Sequence, residues 1–308
     1  MNFLISGTHV APLWLVGVGF IVGVLGGFFG VGGSFLAAPA LFFLGIPMNF
    51  VVGTDLAHIV GKSIVAVGNH RRLGHVDYKL GAFMLLGTLP GVEAGARFIE
   101  HLKHTARIDQ VVGGSFIVLL LSISAFMAWE AWATLRMKGK KPAAEGEKQS
   151  GRRRDHSAFS HIAVVVRRLR LPPYVDLPTS GIRQVSVWAI IAVSLIGGFF
   201  SGFLGGGAGY IRMPSMIYLL GIPTHIAVGT DLFEIILSAG YGTFSHAVKG
   251  NVDILIALVM HTGAAFGAQI GSVLTQYFSG ARIRLAFIPL PLIGAGLLVY
   301  SLVTGHKF

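Results

Sequence analysis

Ionisable side chains set inside long apolar stretches are the residues of this 308-residue chain best placed to do chemistry. Arg212 follows a glycine cluster in a short apolar segment, where the corresponding position earlier in the chain is Ala37. A planar guanidinium can grip a carboxylate or another oxyanion through two parallel hydrogen bonds. Two plainer roles stand beside that one: reaching out to an interface, or pairing with Asp231 for structure alone. Asp55, His58 and Lys62 are spaced three and four apart and share one helical face, as do Asp231, Glu234 and Ser238. Chains of carboxylate and histidine relay protons inside membranes, and an ordinary imidazole titrates near neutrality. Asp55, Asp231, His58 and Glu234 are therefore candidates for proton coupling. The alternative is that they neutralise Lys62 and Arg212 and fix two halves of the chain together.

Other polar residues fall at telling places. Lys62 and His261, the latter mid-span with Gln269 two turns on, join Arg212 as candidates for a substrate pathway. Thr54 and Thr230 stand just inside helices, either capping the helix start or touching substrate. Gly32, Gly33, Gly206 and Gly207 lie in glycine clusters too dense for packing alone. The free amides and positive ends of helices broken there would help to hold an anion. His70 and His246 end equivalent helices and are expected to make structural hydrogen bonds; Glu93 and Arg97, four apart, are expected to pair.

Several motifs are only apparent. Gly61-Lys62-Ser63 mimics the end of a phosphate-binding loop, but that motif needs glycine where Leu56 stands. Neither glycine cluster completes G-x-G-x-x-G, because Phe35 and Tyr210 occupy the last position. No H-x-x-x-H pair falls within a span and no nucleophile–base pair is readable. The expectation is no metal, no cofactor, no catalytic residue and no enzyme.

The elements that must carry these residues follow from composition. The chain is 53% hydrophobic and 12% charged, half the charge of an ordinary soluble domain. Residues 11–29, 110–129, 185–205 and 285–303 are apolar or small almost throughout. Each supplies about the 20 residues that cross a hydrocarbon core of about 30 Å. No Lys or Arg occurs in the first 30 residues, so the first stretch is expected to belong to the mature protein. There is no cysteine, which excludes disulfides and thiolate metal sites.

The formal charge of +11 is unevenly spread: residues 136–184 hold 12 of the 24 Lys and Arg and a local net of +8. Such a loop holds a segment in the cytoplasm and suits lipid headgroups. Only Phe159 and Tyr174 interleave those bases with aromatics, so no nucleic acid is expected as a partner.

A shift of 176 positions overlays Gly45-Ile46-Pro47 on Gly221-Ile222-Pro223 and Val52-Gly53-Thr54-Asp55-Leu56 on Val228-Gly229-Thr230-Asp231-Leu232. The same shift brings His70, Gly74, Val76 and Asp77 onto His246, Gly250, Val252 and Asp253. It also sets the ridge Gly87, Gly91, Gly95 on Gly263, Gly267, Gly271; a shift of 175 overlays Gly26–Phe35 on Ser201–Tyr210. The chain reads as a tandem duplication: residues 1–135 form one transmembrane repeat, 136–184 a basic cytoplasmic linker and 185–308 the second repeat.

In each half a long helix, 11–28 or 186–204, meets a glycine cluster and then an apolar piece, 34–45 or 210–221, too short to span. Three full spans follow: 51–69, 80–99 and 110–134, then 227–246, 254–277 and 284–303. With the linker inside, Arg71, Arg72, Lys79, Arg282 and Arg284 come out cytoplasmic and Lys103, Arg107, Lys249 and Lys307 external, so the halves are inverted. The fold class is an all-α integral membrane protein of two inverted repeats, each a broken or re-entrant helix pair plus three transmembrane helices.

The duplicated glycine cluster followed by proline, the Gly-Thr at the next helix and the ending His246-x-x-x-Gly250-Asn251-Val252-Asp253 resemble the TauE/SafE family of sulfite exporters over nearly the whole chain outside 136–184. Asp55 and Asp231 depart from that pattern, standing where a small hydroxyl residue is expected, and His75 stands where the second half has Asn251. The resemblance implies a proton-motive-force-linked carrier, an exporter of sulfite or a small organosulfonate. Its partners would be a small sulfur-containing anion, protons, the lipid bilayer of a bacterial inner membrane and, as one option, a second copy in a homodimer. The competing classes are a membrane enzyme, which would show metal-ligand spacing at one face, and a channel or divalent-cation carrier, in which Arg212 would be dispensable.

Overall fold

The computed structural model describes residues 2–3, 5–30, 33–104, 107–138 and 171–304. Helix α1 (Pro12–Phe29) begins with proline, whose fixed φ suits a first turn, and ends at Gly30 in a left-handed conformation. After the glycine cluster comes the ten-residue α2 (Ser34–Phe43), then α3 (Met48–Arg72), α4 (Tyr78–Lys103) and α5 (Ile108–Lys138). The second half repeats the series: α6 (Val187–Leu204), a 3-10 turn (Gly206–Ala208), the ten-residue α7 (Gly209–Tyr218), α8 (Thr224–Val248) and α9 (Ile254–Leu274). The short pieces after each glycine cluster are thus helices of ten residues, about 15 Å long.

The span expected at 284–303 falls within one span-length helical segment, 282–304, interrupted at Ile288 into α10 (Gly280–Phe287) and α11 (Pro289–Thr304). Pro289 and Pro291 carry no backbone N–H to continue the ladder across the break. Six helical segments, 12–29, 48–72, 108–129, 187–204, 254–277 and 282–304, are long and apolar enough to cross a membrane. The protein is an all-α integral membrane protein, with two small β-hairpins as its only strands among the described residues.

The two halves are laced through each other. Gly19, Gly23 and Gly27 of α1 lie against the backbone of Met260, Ala264 and Ala268 in α9, while Gly263, Gly267 and Gly271 lie against Val16, Phe20 and Val24. Helices α4 and α6 repeat the arrangement: Gly87, Gly91 and Gly95 meet Ile191, Leu195 and Phe199, and Gly198 and Gly202 meet Thr88 and Val92. In each pair the numbers rise together, so the helices run parallel. The expected glycine ridges are therefore packing surfaces, and each first helix packs on the opposite repeat. Apolar burial gives no advantage between helices in lipid, so association depends on such close backbone approach. At the centre α3 and α8 cross antiparallel, Leu56 lying beside Gly242 and His70 beside Gly229.

The hairpins β1 (Asn2–Phe3)–β2 (Thr8–His9) and β3 (Tyr174–Leu177)–β4 (Ile182–Ser186) precede α1 and α6. Each seats on an aspartate of the other repeat. The N–H and hydroxyl of Ser6 donate to Asp253 Oδ2 at 3.1 and 2.8 Å, and those of Ser180 donate to Asp77 Oδ2 at 3.2 and 2.7 Å. Asp77 Oδ1 accepts the N–H of Leu80 and caps α4; Asp253 Oδ1 accepts those of Leu255 and Ile256 and caps α9. The end of the basic linker, 174–184, thus forms a docked hairpin with the first residues of the second repeat, while residues 139–170 of the linker lie outside the described residues.

Candidate functional site

The ionisable residues singled out in the sequence gather in two buried clusters on α3 and α8. In the second, Arg212 projects from α7 and is fully buried. Its stem lies over Gly197 of α6, where a Cβ would stand 2.9 Å from the arginine Cδ. The equivalent pair in the first repeat is Val22 and Ala37, so a glycine has opened exactly where the long side chain entered. The guanidinium Nε donates to Asp231 Oδ1 at 2.9 Å, and Nη1 pairs with Glu234 Oε2. Ser238 donates to the same Glu234 oxygen at 3.1 Å. Asp231, Glu234 and Ser238 all come from one face of α8, as their spacing requires. Arg212 Nη2, Asp231 Oδ2 and Glu234 Oε1 are buried without a hydrogen-bond partner among the described residues.

Two carboxylates share one guanidinium, so the cluster holds one negative charge in excess only when both are ionised. The pairing role for Arg212 is therefore realised in this state, with Nη1 in an ion pair to Glu234 and neither Nη1 nor Nη2 in a hydrogen bond among the described residues.

The first cluster is the stripe on α3. His58 Nδ1 lies 3.4 Å from Asp55 Oδ1 and 3.4 Å from Lys62 Nζ, and all three residues are buried. His261 of α9 reaches the cluster from the other repeat, its ring lying over Gly61; Gln269, expected near it, is exposed. Tyr210 connects the two clusters. It is buried on α7, its hydroxyl donates to the Gly205 carbonyl at 3.3 Å, and it lies within electrostatic range of Asp55 and Arg212. Sequence reasoning met Tyr210 only as the residue that spoils a nucleotide motif.

The glycine clusters unwind as expected. Gly33 has φ of 72°, and Gly205, Gly206 and Gly207 have φ of 79°, 82° and 67°, values open to glycine and unfavourable to most side chains. Gly207 packs on Ile235 and Gly205 on Val52, so this cluster sits between α3 and α8; Gly32 lies outside the described residues.

Thr54 and Thr230 do not cap their helices, which start at Met48 and Thr224. Their hydroxyls instead accept the backbone N–H of Asp253 and Asp77, each at 2.9 Å and each from the other repeat. His70 and His246 make the expected structural bonds, to the carbonyls of Gly27 and Gly202 at 3.3 and 2.8 Å. Arg97 pairs with Glu93 at 2.8 Å.

This double-cored arrangement can be set beside known proteins. The profile described as Sulfite exporter TauE/SafE matches residues 15–298. The chain belongs to the TauE/SafE family. It is 27% identical over 293 residues to the probable membrane transporter protein YunE of Bacillus subtilis, covering 92% of this chain and 96% of that protein. It is 25% identical over 267 residues to YjnA, another probable membrane transporter protein of Bacillus subtilis, covering 85% of this chain and 89% of that protein. A probable membrane transporter protein of Methanocaldococcus jannaschii is 25% identical over 290 residues, 89% of this chain and 90% of its own. No solved structure matches. The protein is thus a membrane transporter with several transmembrane helices.

The two ends of this TauE/SafE transporter are not alike. At one, Asn49 Nδ2 donates to Asn251 Oδ1 at 3.2 Å. At the other the equivalent residues are His225 and His75, ring centroids 5.2 Å apart, with His70 at 5.7 Å from His75. His75 lies in the turn between α3 and α4, where burial, and after it the neighbouring His225, hold its pKa down at about 4.

Proposed function

We propose that this transporter exports sulfite, or a small organosulfonate, with proton movement coupled to it through Asp231 and Glu234. The observation that carries this reading is the buried Arg212 held by two carboxylates, with its Nη2 edge unpartnered beside an unwound glycine segment. A proton on either carboxylate weakens its hold on the guanidinium and frees a second donor for an oxyanion. Proton and anion then favour each other's binding, and linkage makes that preference reciprocal. A sulfite dianion leaving with one proton carries one net negative charge. An inside-negative potential drives it outward by about 2.3 kcal/mol per 100 mV.

The antiparallel crossing of the equivalent helices α3 and α8 supports an inverted arrangement of the repeats, with substrate bound between them and exposed alternately to each side. The bias of Lys and Arg supports a cytoplasmic 136–184 segment in a bacterial plasma membrane.

The test is flux from proteoliposomes loaded with sulfite, sulfate, methanesulfonate or acetate under imposed potential and pH gradients. Wild type is expected to release sulfite or the sulfonate, and Glu234→Gln to keep transport while losing most of its pH dependence. Release of none of the anions, with transport of a divalent cation instead, overturns the reading.

A further inference from the structure

Lys62 is 1% exposed, and among the described residues its Nζ has a single hydrogen-bond partner, His58 Nδ1. The same nitrogen faces Asp55 Oδ1. One imidazole nitrogen cannot serve both. Carrying a proton, it donates to Asp55 and offers Lys62 no lone pair; without one, it accepts from Lys62 and leaves Asp55 no donor. Either tautomer leaves a buried charge poorly satisfied, which is costly unless another group completes it.

A second feature points to what that group is. His261 of α9 lies over Gly61, its Nε2 only 2.7 Å from the place a Cβ would take, and its Nδ1 is buried without a hydrogen-bond partner among the described residues. At the equivalent positions the repeats carry Leu85 and Leu237, so a glycine stands where the ring needs room. His58, Lys62 and His261 are within electrostatic range of one another, and Asp55 is the acid beside them. Lys62 and two imidazoles thus face the single carboxylate of Asp55 at this contact between repeats, whereas one guanidinium faces two carboxylates at the Arg212 cluster.

The geometry points to Lys62 and His261 as a subsite for a small oxyanion, with His58 as a positioning residue. The anion takes the Lys62 ammonium and an N–H of His261. His58 Nδ1–H is then left to Asp55 alone, and the conflict over that nitrogen ends. The subsite rests on the reading that the chain carries an anion, and it is bounded by both repeats, so an occupant would be felt by each.

Calorimetric titration of the purified full-length protein with sodium sulfite and with sodium methanesulfonate, against chloride at equal ionic strength, tests this. Lys62→Met is expected to weaken binding tenfold or more, and Lys62→Arg to retain most of it. Gly61→Ala, which displaces the His261 ring without removing a charge, is expected to weaken binding as His261→Gln does. If Lys62→Met does not yield a monodisperse protein, Gly61→Ala and His261→Gln carry the test. Unchanged affinity in the variants that fold overturns the subsite and leaves the carrier reading standing. Absence of anion binding to wild type overturns both.

Discussion

Replacing Gly91 by alanine isolates the contact that joins α4 to α6. A Cβ at this position would stand 2.7 Å from the backbone nitrogen of Phe199 and 3.0 Å from the Gly198 carbonyl carbon, with the Leu195 carbonyl oxygen nearer still. Carbon–oxygen contacts settle at about 3.3–3.6 Å. None of these atoms can rotate away, since all are backbone, so the helices must part by about 1 Å. That gap forfeits about a quarter to a half of the dispersion attraction wherever it extends, and Gly87, Gly95, Gly198 and Gly202 share the interface. Overpacking of this kind costs about 1–3 kcal/mol. Gly17 is the control, because it lies in α1 with nothing within 4 Å of its added Cβ. There the change to alanine should be neutral or stabilising by up to about 1 kcal/mol from helix propensity. Thermal unfolding in detergent should therefore separate Gly91→Ala from Gly17→Ala by several degrees. Gly267→Ala, at the equivalent contact of α9 with α1, should match Gly91→Ala. Equal melting temperatures for Gly91→Ala and Gly17→Ala would refute the account of how the repeats hold together.

Three further outcomes follow from the buried polar contacts. Arg212→Met should cost about 3 kcal/mol, because removing the cation leaves Asp231 and Glu234 buried without the charge that both are paired with. The triple variant Arg212→Met/Asp231→Leu/Glu234→Leu should regain much of that, and denaturant unfolding of both reads it. Asp253→Ala should cost about 1–2 kcal/mol from the lost α9 cap and admit protease at the β1–β2 hairpin first, since Ser6 loses its seat. His75 stays neutral in the folded protein down to about pH 4, while an unfolded imidazole takes up its proton near 6.5. The unfolded state thus binds more protons between those values, so stability is full above 6.5 and declines as pH falls toward 4. His75→Asn should flatten the fall in melting temperature over that window; an unchanged slope would remove His75 as its source.

The sequence and the structure agree most closely where chemistry is carried by spacing along one helix. Asp55, His58 and Lys62 share a face, as do Asp231, Glu234 and Ser238, because helical periodicity alone decides it. Arg212 fell beside Asp231 because only one turn of chain separates their helices. What could not be read was anything depending on the facing repeat. Thr54 looked like a cap, since its partner, the N–H of Asp253, is 199 residues away. The glycine ridges announced close packing but not that each would meet the first helix of the other half. The hairpins could not be placed because strands of two to five residues leave little periodicity, although Ser6-Gly7 and Ser180-Gly181 recur at both. Gly61 and Gly197 carry a signal visible only when the repeats are compared, each a space cleared for an ionisable side chain in the facing helix.

The unequal ends have a thermodynamic consequence. A carrier assembled from two interchangeable halves has mirror-related resting states, and perfect interchangeability would make those states equally populated, with no preferred side. Degeneracy is lifted only by positions where the halves differ. An amide pair at Asn49–Asn251 opposite an imidazole pair at His225–His75 is such a difference, and it sets titratable rings at one end where the other has amides. For inverted repeats, acid at the imidazole end and acid at the amide end would then not be equivalent perturbations.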